Sequence, residues 1–296
     1  MNPLNLLTSI YGCLRNYGMP KWVMTLPRRI IRSIANGILP RYLSKSSAKY
    51  VVELENVIVS LTSFPARIDN VWQVVECMMR QSYKPTKIIL WLSKEQFPLP
   101  DSIPQSLRKR EGGVFEIRLV EGDIRSHKKY YYAAKCYPNA LLFLIDDDIY
   151  YPTNILERTI KAHNKYPGAV IANYGYHIGY DKKGILKPYN SWPKEYHFSD
   201  SADLFFGSGG GTLMCPAELH RELTNIDKAI KLAPIADDIW LNAIVKLSKK
   251  QIILLDNGMI LSVYNKDNTS LASSNKGASL NDCQMEAVEK YIKSIV

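Results

Sequence analysis

The sequence predicts an α/β fold with a parallel sheet. Four short apolar runs begin about 28 residues apart, helix-like or loop segments separate them, and three consecutive aspartates follow the fourth run directly. The 296-residue length suits one large domain with an appendage. A content of 46% hydrophobic and 22% charged residues is ordinary for a soluble globular protein with a substantial core.

The first run, Asn56-Val57-Ile58-Val59-Ser60-Leu61, reads as a buried strand. Val71, Val74, Val75, Met78 and Met79 then fall at the spacing of an amphipathic helix. Lys87-Ile88-Ile89-Leu90-Trp91-Leu92, Phe115-Glu116-Ile117-Arg118-Leu119-Val120 and Ala140-Leu141-Leu142-Phe143-Leu144-Ile145 are the second, third and fourth strands. A parallel α/β sheet takes ligands outside the carboxyl ends of its strands, so the residues after strands one and four are the first place to look for chemistry. Further on, the pattern predicts a helix over 153–166, a tyrosine-rich hairpin region over 170–200, a glycine cluster and a helix over 237–248. Two strand-like runs within 251–264, an exposed Asn/Ser-rich stretch over 265–282 and a final helix over 283–295 complete the chain. No repeat or low-complexity tract appears. The chain divides into a basic N-terminal extension, 1–52, and one domain, 53–296.

The charge is unevenly placed. Residues 1–52 contain no Asp or Glu and carry Arg15, Lys21, Arg28, Arg29, Arg32, Arg41, Lys45 and Lys49, whereas the rest of the chain is close to neutral. Leu4, Leu6, Leu7, Ile10, Trp22, Val23, Ile30, Ile31, Ile34, Ile38 and Leu39 lie among them. Basic residues mixed with Trp and aliphatics suit an anionic membrane surface, and a basic extension that packs on the domain or stays disordered is the other reading. Pro20, Pro27 and Pro40 are expected to break the segment into short helical pieces. The basic residues do not continue into a folded binding module, so nucleic acid is not an expected partner. No apolar run approaches the roughly 18 residues needed to cross a bilayer, and no signal-peptide pattern opens the chain. The expectation is a cytoplasmic protein, peripheral on the inner face of the membrane. Five cysteines, at 13, 77, 136, 215 and 283, lack metal-ligand spacing and read as buried free thiols of a reducing compartment.

The strongest chemical signal is Ile145-Asp146-Asp147-Asp148-Ile149-Tyr150. Three adjacent carboxylates repel one another, and each is costly to bury without a partner. A divalent cation resolves both problems. Asp146 and Asp148 lie two apart and would point the same way in an extended segment, as ligands of one oxygen-coordinated Mn²⁺ or Mg²⁺ with a diphosphate completing the shell. A solvated acidic turn is the bland alternative. A phosphatase with an Asp-x-Asp-x-Thr pattern is disfavoured by Tyr150 at the place of the Thr.

With these residues in view, the sequence resembles nucleotide-sugar glycosyltransferases of the GT-A fold, and more narrowly bacterial enzymes of capsule, O-antigen and related surface-polysaccharide synthesis. The resemblance rests on Ser60-Leu61-Thr62-Ser63-Phe64-Pro65-Ala66-Arg67-Ile68, on Arg80-Gln81-Ser82-Tyr83-Lys84-Pro85-Thr86-Lys87-Ile88-Ile89 and on Asp146-Asp147-Asp148-Ile149-Tyr150-Tyr151-Pro152. Gly207-Ser208-Gly209-Gly210-Gly211, Ala236-Asp237-Asp238-Ile239-Trp240 and Asn281-Asp282-Cys283-Gln284 follow in the same order, so that it covers residues 57 to 290 or so.

The resemblance implies a Rossmann-like βαβ sheet for the donor and an α/β half for the acceptor. It implies that Asp146 and Asp148 hold the metal, and that Thr62, Pro65, Arg67, Asp123, Lys128, Lys129 and Asp147 border the nucleotide-diphosphate sugar. Gly209, Gly210, Gly211 and Trp240 would lie on the side of a glycan or lipid-linked oligosaccharide acceptor. Asp237 and Asp238 open a helix with an apolar face of Trp240, Ala243, Ile244 and Leu247. Asp is a preferred cap there, so one of the pair is expected only to cap. Asp238 is the expected base of an inverting reaction. Read alone, Lys128 and Lys129 equally suit a solvated basic turn, and the glycine run a flexible turn. Tyr174, Tyr176, Tyr180, Tyr189, Trp192 and Tyr196 offer faces for a sugar or for one another. His177 and His197 are not expected ligands. Nucleotidyl transfer uses similar carboxylates, but Ser60–Ile68 lacks the glycine of a phosphate loop. A non-catalytic glycan- or nucleotide-sugar-binding protein of the same fold is the alternative from another class.

Overall fold

The computed structural model describes residues 2–14, 20–45, 56–256, 258–264 and 280–295. The four predicted strands are present as β1 (Val57–Thr62), β2 (Lys87–Ser93), β3 (Phe115–Val120) and β4 (Leu141–Ile145). Three further strands, β5 (Val170–Ala172), β9 (Gly210–Met214) and β10 (Ile252–Leu254), complete a seven-stranded sheet of order β10-β5-β9-β4-β1-β2-β3. Every neighbouring pair is parallel except the two that involve β9, which runs antiparallel to β4 and β5. The fold is a mixed α/β, Rossmann-like one, as the βαβ rhythm predicts.

Alternation along β1 explains its two packed faces. Val57, Val59 and Leu61 enter one core with helix α3 (Val71–Met79), and Ile58 enters the other with α5 (Lys128–Cys136) and α8 (Asp237–Leu247). β4 divides in the same way, with Phe143 and Ile145 on the α3 side and Leu142 and Leu144 on the α5 side. Ser60 is the polar exception. Its hydroxyl accepts from Trp91 Nε1 at 2.8 Å and donates to the Lys129 carbonyl, which pins the start of α5 to the middle of β1.

The hairpin region resolves into two parts. β5 joins the main sheet, whereas β6 (Gly175–His177) lies between β7 (Lys194–Glu195) and β8 (Leu204–Phe206) in a small antiparallel sheet. Of the two runs predicted within 251–264, only the first is a strand. The second pairs through one isolated bridge, Ile149 to Ser262. Most of the expected exposed stretch, 265–279, lies outside the described residues, and 280–282 already belong to the last helix, α9 (Leu280–Ile295).

The N-terminal segment corrects an expectation. Pro27 and Pro40 do not break it: α2 (Lys21–Leu43) runs through both, after α1 (Pro3–Gly12). Burial overrides the loss of backbone bonds at proline, since Ala35, Leu39 and Leu43 of α2 and Leu4 and Tyr11 of α1 sit in the α3-side core. The five cysteines are all free, but Cys13, Cys136 and Cys283 are exposed and only Cys77 is fully buried.

Candidate functional site

The strand order reverses at β1, which has β2 on one side and β4 on the other, so the loops leaving β1 and β4 run side by side. Backbone N–H groups of Arg67 and Ile68 both donate to the Phe64 carbonyl, at 3.0 and 3.1 Å, and the turn so formed aims Arg67 at the β4 loop. Its Nη1 lies 2.8 Å from Asp147 Oδ1 and 3.1 Å from Asp148 Oδ2. Ser63 Oγ donates to Asp147 Oδ2 at 2.5 Å.

Asp147, an expected donor-side residue, is therefore buried with both oxygens engaged, and it ties one loop to the other. Arg67 is likewise buried and points at the carboxylates. The extended geometry expected of Asp146 and Asp148 is also not what forms. The chain turns at 147–148, so Asp146 faces α5 while Asp148 faces Arg67.

On the α5 side, Lys129 occupies the centre. Its side chain is 4% exposed, with Nζ 2.8 Å from Asp146 Oδ1 and 3.0 Å from Asp237 Oδ2. Burial alone would lower its pKa, but Asp146, Asp237 and Asp238 raise it, so it stays a cation. Burial would raise Asp237, yet Lys129 holds it below the usual carboxylate value. Ser208 completes the arrangement: its hydroxyl donates to Asp237 Oδ2 at 2.9 Å and its backbone N–H to Asp238 Oδ1 at 2.8 Å. Neither aspartate is the capping residue of α8, whose N-cap is Ala236; both lie in the first turn, where the helix dipole favours them. Asn242, one turn further on, exchanges hydrogen bonds with the Phe206 backbone at 3.0 and 2.8 Å, fixing α8 against β8 and so Ser208 over Asp238.

The glycines serve close approach. A Cβ on Gly209 would stand 1.8 Å from Asp146 Cγ, one on Gly210 2.3 Å from Tyr174 Cβ, and one on Gly211, at φ +98°, 2.8 Å from Phe143 Cζ. All three are buried, and Gly209 O accepts from Asp146 N at 3.1 Å. They shape the floor under Asp146. Trp240, expected on the acceptor side, turns its ring into the core. Trp240 is wholly buried and stacks on Tyr291 at 6.2 Å, because the apolar face of α8 is what α9 covers.

The remaining expected residues scatter. Lys128 is buried and paired with Asp123, whose other oxygen accepts from Gln96 Nε2 at 2.8 Å, so this pair stands at the ends of β2 and β3 apart from the acidic cluster. Thr62 Oγ1 donates to the Trp91 carbonyl at 2.7 Å, and Pro65 is exposed on the β1 loop. Tyr174, Tyr176, Tyr189 and Trp192 pack with one another and with Phe205. The Asp238 charge contributes, after burial, to raising Tyr176 and Tyr189, which places this aromatic cluster beside the base candidate. His177 bonds Glu195 and His197 faces Asp256, away from the site. Ser63, Ser208 and Asn242 were not candidates from sequence. Ser208 had a signal, a hydroxyl inside a glycine run, and Ser63 lay within the stretch after the first strand that carries the resemblance; Asn242 had none.

Five aspartates thus gather around Arg67 and Lys129, a formal charge of −3 when all are ionised. Burial first, and repulsion from their neighbours second, push Asp148 and Asp238 up to about 7. This uncompensated charge fits a cation. Among the described residues no three His, Cys, Asp or Glu side chains form a ready-made metal centre. Asp146 and Asp148 are the residues that would hold Mg²⁺ or Mn²⁺ there, with a ligand's oxygens and water supplying the rest of the shell.

No family model matches the sequence, and comparison with curated proteins finds no match. Among solved structures, 4-diphosphocytidyl-2C-methyl-D-erythritol synthase from Anaerococcus prevotii DSM 20548 is similar at 12% identity, covering 75% of this chain and 97% of that one, with a TM-score of 0.42. A second structure of a 4-diphosphocytidyl-2C-methyl-D-erythritol synthase gives 11% identity, coverage of 73% and 96%, and a TM-score of 0.44. A likeness this distant carries no argument about activity.

Proposed function

We propose that the protein is a transferase that moves a glycosyl group from a nucleotide-diphosphate sugar to a glycan or lipid-linked acceptor, with Mn²⁺ or Mg²⁺ at Asp146 and Asp148. The observation that carries this reading is the Lys129 bridge, which joins the acidic cluster after β4 to the Asp237-Asp238 pair at the start of α8. A cation-binding pair and a candidate base then share one site. A divalent cation bound there would neutralise charge on the departing nucleoside diphosphate. Asp238, held by the Ser208 N–H, takes the proton of the acceptor hydroxyl, and a carboxylate raised to about 7 is matched to that task. Arg67 and Asp147 hold the β1 and β4 loops together, and Lys129 orients Asp146 and Asp237. The sheet order, with antiparallel β9 beside β4, supports the GT-A fold, and the place in surface-polysaccharide synthesis rests on the sequence resemblance alone.

A second reading, nucleotidyl transfer, uses the same cation site. Lys129, a buried cation in the first turn of α5 beside the same carboxylates, is compatible with it, whereas Lys128 is paired with Asp123 away from them. The names of the two solved structures are in keeping with it, although their likeness is too distant to argue from. The absence of glycine between Ser60 and Ile68 speaks against it. Product analysis separates the two. Incubation with Mn²⁺ and panels of nucleotide sugars or nucleoside triphosphates releases nucleoside diphosphate in the first case and pyrophosphate in the second. Neither product, with no ligand bound, would leave a non-catalytic protein of the same fold.

A further inference from the structure

We propose that α1 and α2 form a face that seats the protein on an anionic lipid surface. α2 exposes Trp22 (77%), Leu26 (65%), Ile30 (49%), Ile34 (42%) and Ile38 (46%). They recur every four residues, each about 6 Å further along the axis and turned by about 40°, so they make a broad band instead of a narrow seam. Ser33 and Gly37 are exposed between them and too small to cover them. α1 adds Leu6 and Ile10. The opposite side of α2 already supplies its packing through Ala35, Leu39 and Leu43, all fully buried. A helix packed on a core normally turns a polar face outward, and this one turns an apolar face outward.

Charge selects the occupant. Arg29, Arg41 and Lys45 are exposed on or beside the band, and no Asp or Glu occurs before residue 53. Two copies of this face would repel, whereas a bilayer carrying anionic headgroups satisfies both the apolar band and the cations. No helix among the described residues is long and apolar enough to cross a membrane, so the helices lie on the surface.

The face is also tied to the candidate site. Asn36, on α2, accepts from Tyr150 Oη at 3.1 Å and from the Tyr264 N–H at 2.6 Å, and donates to the Ser262 carbonyl at 3.2 Å. Tyr150 lies two residues beyond Asp148. A surface that captures α2 therefore holds the acidic cluster at a fixed distance from the lipid. This proposal does not depend on which reaction the site performs.

Sedimentation of the full chain with vesicles tests it. Vesicles with about a quarter phosphatidylglycerol in phosphatidylcholine should bind at least tenfold more tightly than phosphatidylcholine alone, and added salt should weaken binding. Trp22 is the most exposed of the tryptophans, so emission should shift to the blue on binding and Trp22→Phe should remove that shift. Leu26→Ser/Ile30→Ser/Ile34→Ser should lower binding about tenfold or more with unchanged circular dichroism, since all three are exposed. Arg29→Glu/Arg41→Glu should remove the preference for anionic vesicles. Absence of binding to either vesicle, or binding unaffected by the triple substitution, would overturn the proposal. So would a dimer that the triple substitution dissolves while vesicles bind nothing.

Discussion

The Lys129 ammonium lies 3.0 Å from the Asp237 carboxylate, in a place where its own side chain is 4% exposed. The same nitrogen reaches Asp146, so one buried cation joins two parts of the chain about a hundred residues apart in sequence. Removing it strands two carboxylates. Lys129→Met is expected to cost about 3–5 kcal/mol in urea denaturation, the range for breaking a buried ion pair. Mn²⁺ should recover more stability in this variant than in the parent. An equal effect of Mn²⁺ on both would mean that the cation does not bind beside Lys129.

Asp148 ties stability to pH. Its folded value is pushed up to about 7, by burial first and by Asp147 and Asp146 next, whereas an unfolded aspartate titrates near 3.9, by about three units lower. The folded state thus favours the protonated form. The associated stability is complete below pH of about 4 and is lost as pH rises through about 7. Asp148→Asn should therefore stabilise the metal-free protein by about 1–3 kcal/mol at pH near 8 and change little at pH near 4, while weakening Mn²⁺-dependent donor binding. Calorimetric melting at the two pH values checks both signs.

As a base, Asp238 must be ionised. With its value raised to about 7, chiefly by burial and then by Asp237, kcat/KM should rise about tenfold per pH unit below that point and level off above it. Asp238→Asn should lower kcat by about 10²–10⁴ and remove this limb while donor affinity changes little. An intact pH profile in the variant would assign the base elsewhere.

Gly209 and Trp240 make a contrasting pair. A methyl on Gly209 would displace the Asp146 carboxylate, so Gly209→Ala should weaken Mn²⁺-dependent donor binding by about tenfold or more in a folded protein. Trp240→Ala should cost about 3–5 kcal/mol of stability with little change in donor affinity, because the indole is wholly buried and packs on Tyr291. Isothermal titration and melting, run on both variants, separate the effects.

Local pattern explains why much of this was readable in advance. Strands β1, β2 and β4 are short apolar runs whose burial on both faces leaves little choice, and the helix at Asp237 has both a periodic apolar face and acidic first-turn residues. The acidic cluster announced itself by composition. Its internal division did not: that Asp147 turns inward to Ser63 and Arg67 depends on a loop some 80 residues away and on strand order. The burial of Trp240 is illegible for a related reason, since only the packing of α9 decides whether an aromatic beside a site faces solvent. Pro27 inside α2 shows burial overriding a local rule, as the buried residues of that helix lie beyond the proline. The i+4 spacing of Ile30, Ile34 and Ile38 is visible in the sequence, yet only the structure shows that this side faces out.

Calorimetric titration of nucleoside diphosphates and nucleotide sugars, with and without Mn²⁺, tests the central claim most directly, alongside Asp146→Ala/Asp148→Ala. Binding of one nucleotide class that requires Mn²⁺ and disappears in the double variant is the expected result. Binding indifferent to the metal, or no binding to any of the ligands by a folded protein, would contradict a cation site at Asp146 and Asp148 and with it the transferase reading.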